Sequence, residues 1–358
     1  MGLLDFLRNL LSPQRGSDES PALNHSDTRP KTADASPSQA EAPATPAVRI
    51  RRRRPLLPRQ LGSPPTFRRL MAALRLSHVR VRRVMHSKAP YHTFTIAKHN
   101  GSLRDIAAPC RSLRHIQRRI LRRIVEPLDT HLAVHGFRRG RCSLTGARRH
   151  VGKEAVLAMD LQDFFPSITS QRVYGLFRKL GWPPNLASVL TRLSTWQGRL
   201  PQGAPTSPAL ANLIARRMDR RLAGLARHRG IYYTRYADDL TFSGPADAVR
   251  SAIPAIRMIV KEEGFRPAEH KTRLMRCGRR QVVTGLVVNR QVSVPRDYRR
   301  RVRAALHGIR TGRTTFATPA DRATTLRELE GHVQYIRSIR PEHGDPLAAD
   351  LYAAETGQ

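Results

Sequence analysis

Strand and helix periodicities occupy separate stretches of this chain, which predicts an α+β fold. Three observations carry that reading. Residues 91–96 alternate in the strand manner ahead of Asn100-Gly101, a pair suited to a tight hairpin turn. Residues 155–159 are a continuous apolar run of buried-strand length that ends on Asp160. Leu113, Ile116, Ile120 and Ile124 instead recur at helical spacing, with Arg118, Arg119, Arg122 and Arg123 crowding the other faces. With 358 residues, the chain can bury a core without disulfide or metal staples.

Taken in order, residues 1–11 are apolar but short and broken by Asp5 and Arg8, too little for a secretory signal or a membrane span. They read as an amphipathic stub with Leu3, Leu4, Leu7 and Leu11 on one side, either a docking element or an ordered end. Residues 12–60 are rich in Ser, Pro, Ala and acidic residues and nearly free of aromatics, the composition of a disordered linker, so residues 1–61 stand apart from the rest of the chain. The closing run Arg51-Arg52-Arg53-Arg54 either touches a phosphate backbone or is simply solvated.

Beyond it, Phe67, Leu70, Leu74 and Val81 indicate one or two basic helices, and residues 103–107 return as the hairpin partner of residues 91–96. Helical spacing resumes at Val173, Leu176, Phe177 and Leu180, stopped by Gly181, and again over residues 209–226. Residues 232–236 and 240–243 read as two strands around Ala237-Asp238-Asp239. A helix ending near Gly264 follows, then a hairpin of residues 281–288 and 291–294 about Asn289-Arg290, then a helix carrying Leu326, Leu329, Val333 and Ile336.

Lys and Arg number 64 against 27 Asp and Glu, a formal charge of +37, and arginines run through every segment from Arg51 to Arg340. Such an excess opposes compaction unless polyanions neutralise it, which points to a nucleic-acid partner and away from a membrane protein. The three cysteines, Cys110, Cys142 and Cys277, contain no CxxC pair; a disulfide framework and a zinc site are both disfavoured, and a reducing cytoplasm fits.

Acidic residues are scarce, so Asp160 at the end of a buried strand and Asp238-Asp239 at a turn between strands stand out. One such residue alone is most often a cap or an arginine partner. Three meeting at neighbouring strand ends offer all-oxygen ligands to Mg²⁺, and two such ions can activate a primer 3′-hydroxyl and stabilise a leaving pyrophosphate.

These segments resemble the reverse transcriptases. Tyr236-Ala237-Asp238-Asp239 resembles their YxDD catalytic box, residues 159–168 the box that supplies the first catalytic aspartate, and residues 200–208 the LPQGxPxSP block between them. The resemblance covers nearly everything from about residue 65 to 355. It implies a right-hand polymerase: fingers and palm over residues 62–294, the palm an antiparallel sheet, and a helical thumb over 295–358. It also implies two Mg²⁺ ions held by Asp160, Asp238 and Asp239, with Leu161 counted at the metal site, and Lys271 as a proton donor to pyrophosphate. Lys98 and Arg104, at opposite ends of the fingers turn, match residues that grip the incoming dNTP. Phe165 matches the residue on which the deoxyribose packs, plain core packing being the other reading. Gln202 and Gly203 match a loop near the nascent base pair, glycine permitting close backbone approach.

Within the family, Val283-Thr284-Gly285 resembles the VTG element of retron enzymes, and residues 331–336 are also similar to theirs. A second retron element, NAxxH, is met by Gly146-Ala147-Arg148-Arg149-His150 with Gly in place of Asn, which leaves Arg148, Arg149 and His150 as expected RNA contacts beside Val283, Thr284 and Gly285. Kinship with retrons implies a structured noncoding RNA that serves as template and primer, an RNA-linked DNA product, an effector protein of the same locus and a part in phage defence. The rivals are an intron-like or diversity-generating reverse transcriptase, or an inactive nucleic-acid-binding relative.

Overall fold

The computed structural model describes residues 54–97 and 103–356. The N-terminal stub, most of the linker, Arg51 to Arg53, the Asn100-Gly101 turn and Lys98 lie outside the described residues.

Two short helices come first, α1 (Phe67–Leu74) and α2 (His78–Met85). Each starts on a hydroxyl cap: Thr66 Oγ1 accepts from the Arg69 amide and Ser77 Oγ from the Arg80 amide. Strands β1 (Tyr91–Ala97) and β2 (Leu103–Pro109) pair antiparallel from Tyr91↔Pro109 to Ala97↔Leu103, as the alternation predicts. Helix α3 (Arg111–Ile120) buries Leu113, Ile116 and Ile120 and runs on through one wider turn that buries Ile124. A short helix α4 (Ser143–Ala147) leads into β3 (Ala155–Asp160).

Helices α5 (Ser170–Lys179), α6 (Pro184–Ser194), α7 (Ser207–Ile214) and α8 (Arg216–His228) then precede β4 (Tyr232–Tyr236) and β5 (Asp239–Gly244). After α9 (Ala246–Glu262), β6 (Arg273–Arg276) completes a four-stranded antiparallel sheet in the order β4-β5-β3-β6. Residues 209–226, one helical stretch by spacing, divide at Ala215, where ψ has opened to −3°.

Strand β3 lies inside this sheet with cover on both faces, so its residues are apolar in succession rather than in alternation. Leu157 and Met159 join a large core with Ile116, Phe177, Trp182 and Phe242. Val156, on the other face, joins a second core with Val302, Leu306, Leu329 and Val333. Burying each such side chain contributes roughly 1.5–3 kcal/mol.

The second core belongs to the C-terminal helices α10 (Arg296–Arg310), α11 (Pro319–Ile339) and α12 (Pro341–Thr356). Only α11 of these is predicted from the sequence; α10 is dominated by arginines outside a short apolar face of Val302, Ala305, Leu306 and Ile309, and α12 carries Gly344 and Pro346 inside it. The expected hairpin about Asn289-Arg290 is corrected. The turn sits at Thr284-Gly285, whose φ angles of 47° and 83° suit a two-residue hairpin joining β7 (Val282–Val283) to β8 (Leu286–Val287). Residues 291–294 return only as far as one bridge, Val287 to Ser293.

Candidate active site

Strand register assembles the acidic centre. Asp160 ends β3, Asp239 begins β5, and the two are paired directly across the ladder, so their carboxylates project from the same face. Asp238 precedes Asp239 on the β4–β5 turn, which Ala237 makes possible by adopting a left-handed φ of 56°. The Asp238 carbonyl accepts from the Leu161 amide at 3.0 Å, which fastens the turn to the end of β3. The Asp160 carbonyl accepts from the Ala268 amide at 2.7 Å, and this brings in the helical turn Glu269–Lys271. Lys271 Nζ then donates to Asp160 Oδ2 at 3.0 Å.

Like charges directly opposed on a ladder repel, and burial makes the repulsion costlier. Burial first, then Asp238 and Asp160, push the Asp239 carboxyl up to about 7. Burial and the Asp160 charge also raise Asp238, against the pull of Lys271 and Arg104. Arg104 of β2 is thus close enough to act on the centre electrostatically. Among the described residues, no three His, Cys, Asp or Glu side chains close into a metal cage. The donor set nonetheless fits Mg²⁺ in kind: hard carboxylate oxygens, two of them on the raised Asp238 and Asp239, that a divalent cation would stabilise in their charged form.

A cleft of about 510 Å³ gathers Phe165, Gln202 and Gly203, with Arg114 and Arg118 from one face of α3. Gly203 holds a φ of 127°, and a Cβ there would meet the Ala107 carbonyl oxygen at 2.9 Å. The close approach glycine permits here is therefore to β2, sealed by the Ala107 amide donating to the Gln202 carbonyl at 2.8 Å. Phe165 is half-buried at the cleft wall, and Phe137, also lining it, bridges Phe165 at 6.2 Å and Tyr236 at 6.4 Å between ring centroids.

The remaining residues fall into two groups. Arg148 and Arg149 are exposed, and Gly285 is exposed on the β7–β8 turn. His150 is not available to RNA: it is fully buried, its Nδ1 on Ser243 Oγ and its Nε2 on Thr234 Oγ1, both at 2.7 Å, and burial pushes the ring down to about 3. It is a neutral brace between β4 and β5. Val283 likewise belongs to the second core and is buried as a whole residue. The site of the missing Asn is packed, since a Cβ on Gly146 would lie 3.4 Å from the His135 ring.

Spacing gives no sign of the buried polar group behind the β4–β5 turn, Arg235, Asp219, Tyr233 and Asn212. The available signal is an arginine inside a strand otherwise of tyrosine and threonine, a residue that is rarely buried unless paired.

Residues 96–318, more than half of the chain, match the family described as reverse transcriptase (RNA-dependent DNA polymerase). The chain is 40% identical over 292 residues to the Retron Mx65 reverse transcriptase of Myxococcus xanthus, covering 76% of this chain and 67% of that one. It is 39% identical over 301 residues to the Retron Mx162 reverse transcriptase of the same organism, covering 74% and 61%. It is 35% identical over 255 residues to the Retron Ec86 reverse transcriptase of Escherichia coli, covering 70% and 76%.

Proposed function

This chain belongs to the retron reverse transcriptases, a bacterial branch of the RNA-directed DNA polymerases, and from that we propose that it copies one structured noncoding RNA of its own locus into RNA-linked single-stranded DNA. Kinship carries the retron part of this reading, and the observation that supports its polymerase chemistry is the register that sets Asp160 opposite Asp239 with Asp238 on the adjoining turn.

Asp160, Asp238 and Asp239, with the main chain at Leu161 beside them, would hold Mg²⁺. When bound, two such ions lower the pKa of the attacking hydroxyl and offset the charge that builds on the leaving pyrophosphate. The chain's own groups do the rest. Lys271 carries a proton at Nζ beside Asp160 and is the donor to pyrophosphate as it departs. Arg104 and Lys98 hold the triphosphate, and the Phe165 ring packs under the deoxyribose, where a 2′-hydroxyl would clash. Gln202 and Gly203 line the same cleft.

Arg148, Arg149 and the Thr284-Gly285 turn contact the cognate RNA, which primes synthesis from an internal guanosine 2′-hydroxyl. Fingers and palm extend over residues 62–294 and the thumb over 295–358. Work in the cytoplasm, beside an effector protein in phage defence, fits the kinship. Among the described residues no helix is long and apolar enough to cross a membrane.

Expression of the locus followed by analysis of the co-purified nucleic acid tests the retron reading, and absence of RNA-linked DNA would sink it. Asp238→Ala and Asp239→Ala should each abolish RNA-templated primer extension; full activity in either variant would exclude the acidic centre.

A further inference from the structure

We infer that Arg235 is the positioning residue of this enzyme: with Asp219 and Asn212 it holds the Ala237-Asp238 turn where the two strand-end aspartates need it. The inference rests on the polymerase reading above and adds a group that never touches substrate.

Arg235 precedes the catalytic box on β4, and its guanidinium is 0% exposed. Every arm of that fork is directed. Nε and Nη2 donate to the two carboxylate oxygens of Asp219, both at 2.7 Å. Nη1 donates to Asn212 Oδ1 at 3.0 Å and to the Ala237 carbonyl at 2.9 Å. The last bond reaches into the turn itself, at the residue held in the left-handed region. A non-glycine residue persists there only when its surroundings over-determine it.

The surroundings do so from three sides. Asp219 is fixed from α8 and accepts also from the Tyr233 hydroxyl at 2.8 Å. Asn212 of α7 passes the constraint onward, its Nδ2 donating to the Gly136 carbonyl at 3.0 Å. Gly136 lies against the turn so closely that a Cβ would meet the Ala237 nitrogen at 2.6 Å. The main chain just before Gly136 is tied to Arg235 as well, the Arg235 amide donating to the Ala133 carbonyl and the His135 amide to the Arg235 carbonyl, each at 2.8 Å. Finally, the guanidinium lies 5.6 Å from the ring of Phe164, which packs on Phe165 at the cleft wall. One side chain thus connects the catalytic turn, the segment that backs it and the nucleotide-binding wall.

A buried ion pair is weak support for stability as such, since its desolvation cost rivals its attraction, and neutralising both partners together is often tolerated. That separates a positioning role from a structural one. In the double variant Arg235→Met with Asp219→Asn, both charges are gone and none is left unpaired, while the donor to the Ala237 carbonyl is lost. Steady-state primer extension on an RNA template, with circular dichroism and thermal unfolding of the same full-length preparations, is the experiment.

We expect the double variant to fold and to lose about 10- to 100-fold in kcat, with KM for dNTP within about twofold of the parent, as for a misplaced but intact catalytic group. Asn212→Ala and Gly136→Ala, which disturb the turn from its other side and keep the ion pair, should show the same split and carry the test if the double variant does not fold. A folded double variant, or folded Asn212→Ala and Gly136→Ala proteins, with parental kcat would overturn the inference. A parent chain without RNA-templated synthesis would instead refute the polymerase reading on which it rests.

Discussion

At the scale of single residues, the acidic centre is held in a state the polypeptide alone disfavours. Asp239 is nearly buried, faces Asp160 across the ladder and follows Asp238, and its carboxyl is pushed up to about 7 from the usual 3.8. A carboxyl whose pKa is higher folded than unfolded binds the proton more tightly in the folded state. Its contribution to stability is therefore complete below the unfolded value and is lost as pH rises through about 7. In metal-free buffer the protein should lose on the order of 1 kcal/mol from this group between about pH 6 and about pH 8. Asp239→Asn should remove that slope and melt higher than the parent at the upper pH while losing synthesis, as expected where an active site stores repulsion for its function. Calorimetric melting in a chelator at both pH values reads this out, and an unchanged slope in the variant would show that Asp239 is not the group responsible.

At the scale of elements, the β7–β8 hairpin carries a conflict between local preference and position. Thr284 is β-branched yet holds a φ of 47°, and its Oγ1 is buried without a hydrogen-bond partner in the protein. Such a residue costs about 1–3 kcal/mol, and Asn-Gly is the pair this turn type prefers. Thr284→Asn should therefore raise stability by about 0.5–1 kcal/mol and weaken binding of the cognate RNA several-fold. Thermal unfolding and RNA titration of the one variant measure both; unchanged RNA affinity would count against an RNA contact at the turn, and unchanged stability against strain at Thr284. The contrast with Ala237 is instructive, since that left-handed residue is held by a named donor from Arg235 and by Gly136 behind it.

At the scale of the whole molecule, the charge of +37 is the dominant property. Few carboxylates are present to neutralise it, and several of those are taken by the centre or by buried pairs such as Arg235 with Asp219. Arg114 and Arg118 open into the cleft that holds Gln202 and Gly203, and Arg148 and Arg149 stand exposed near α4. Binding of RNA should accordingly weaken at least about tenfold as salt rises from about 50 to 200 mM, through release of the condensed counterions. A filter-binding series in salt measures the slope, and a flat response would mean that phosphate contacts contribute little.

The sequence by itself determined the features written in short windows. An apolar run ending on Asp160, strands flanking Asp238-Asp239, the hairpin of β1 and β2 and the boxes shared with reverse transcriptases were all legible, because burial and turn chemistry act on neighbours a few residues apart. Tertiary structure alone decided what depends on contacts distant in the chain. The register of β3 on β5 set Asp160 against Asp239, the loop after α9 carried Lys271 to Asp160, and helices α7 and α8 delivered Asn212 and Asp219 to Arg235. His150 shows the reason most plainly. Its local pattern, directly after Arg148-Arg149 and ahead of a strand, is that of an exposed RNA contact, but Ser243 and Thr234 from two other strands enclose it. Periodicity reports which face of an element is buried and is silent on what lies against that face.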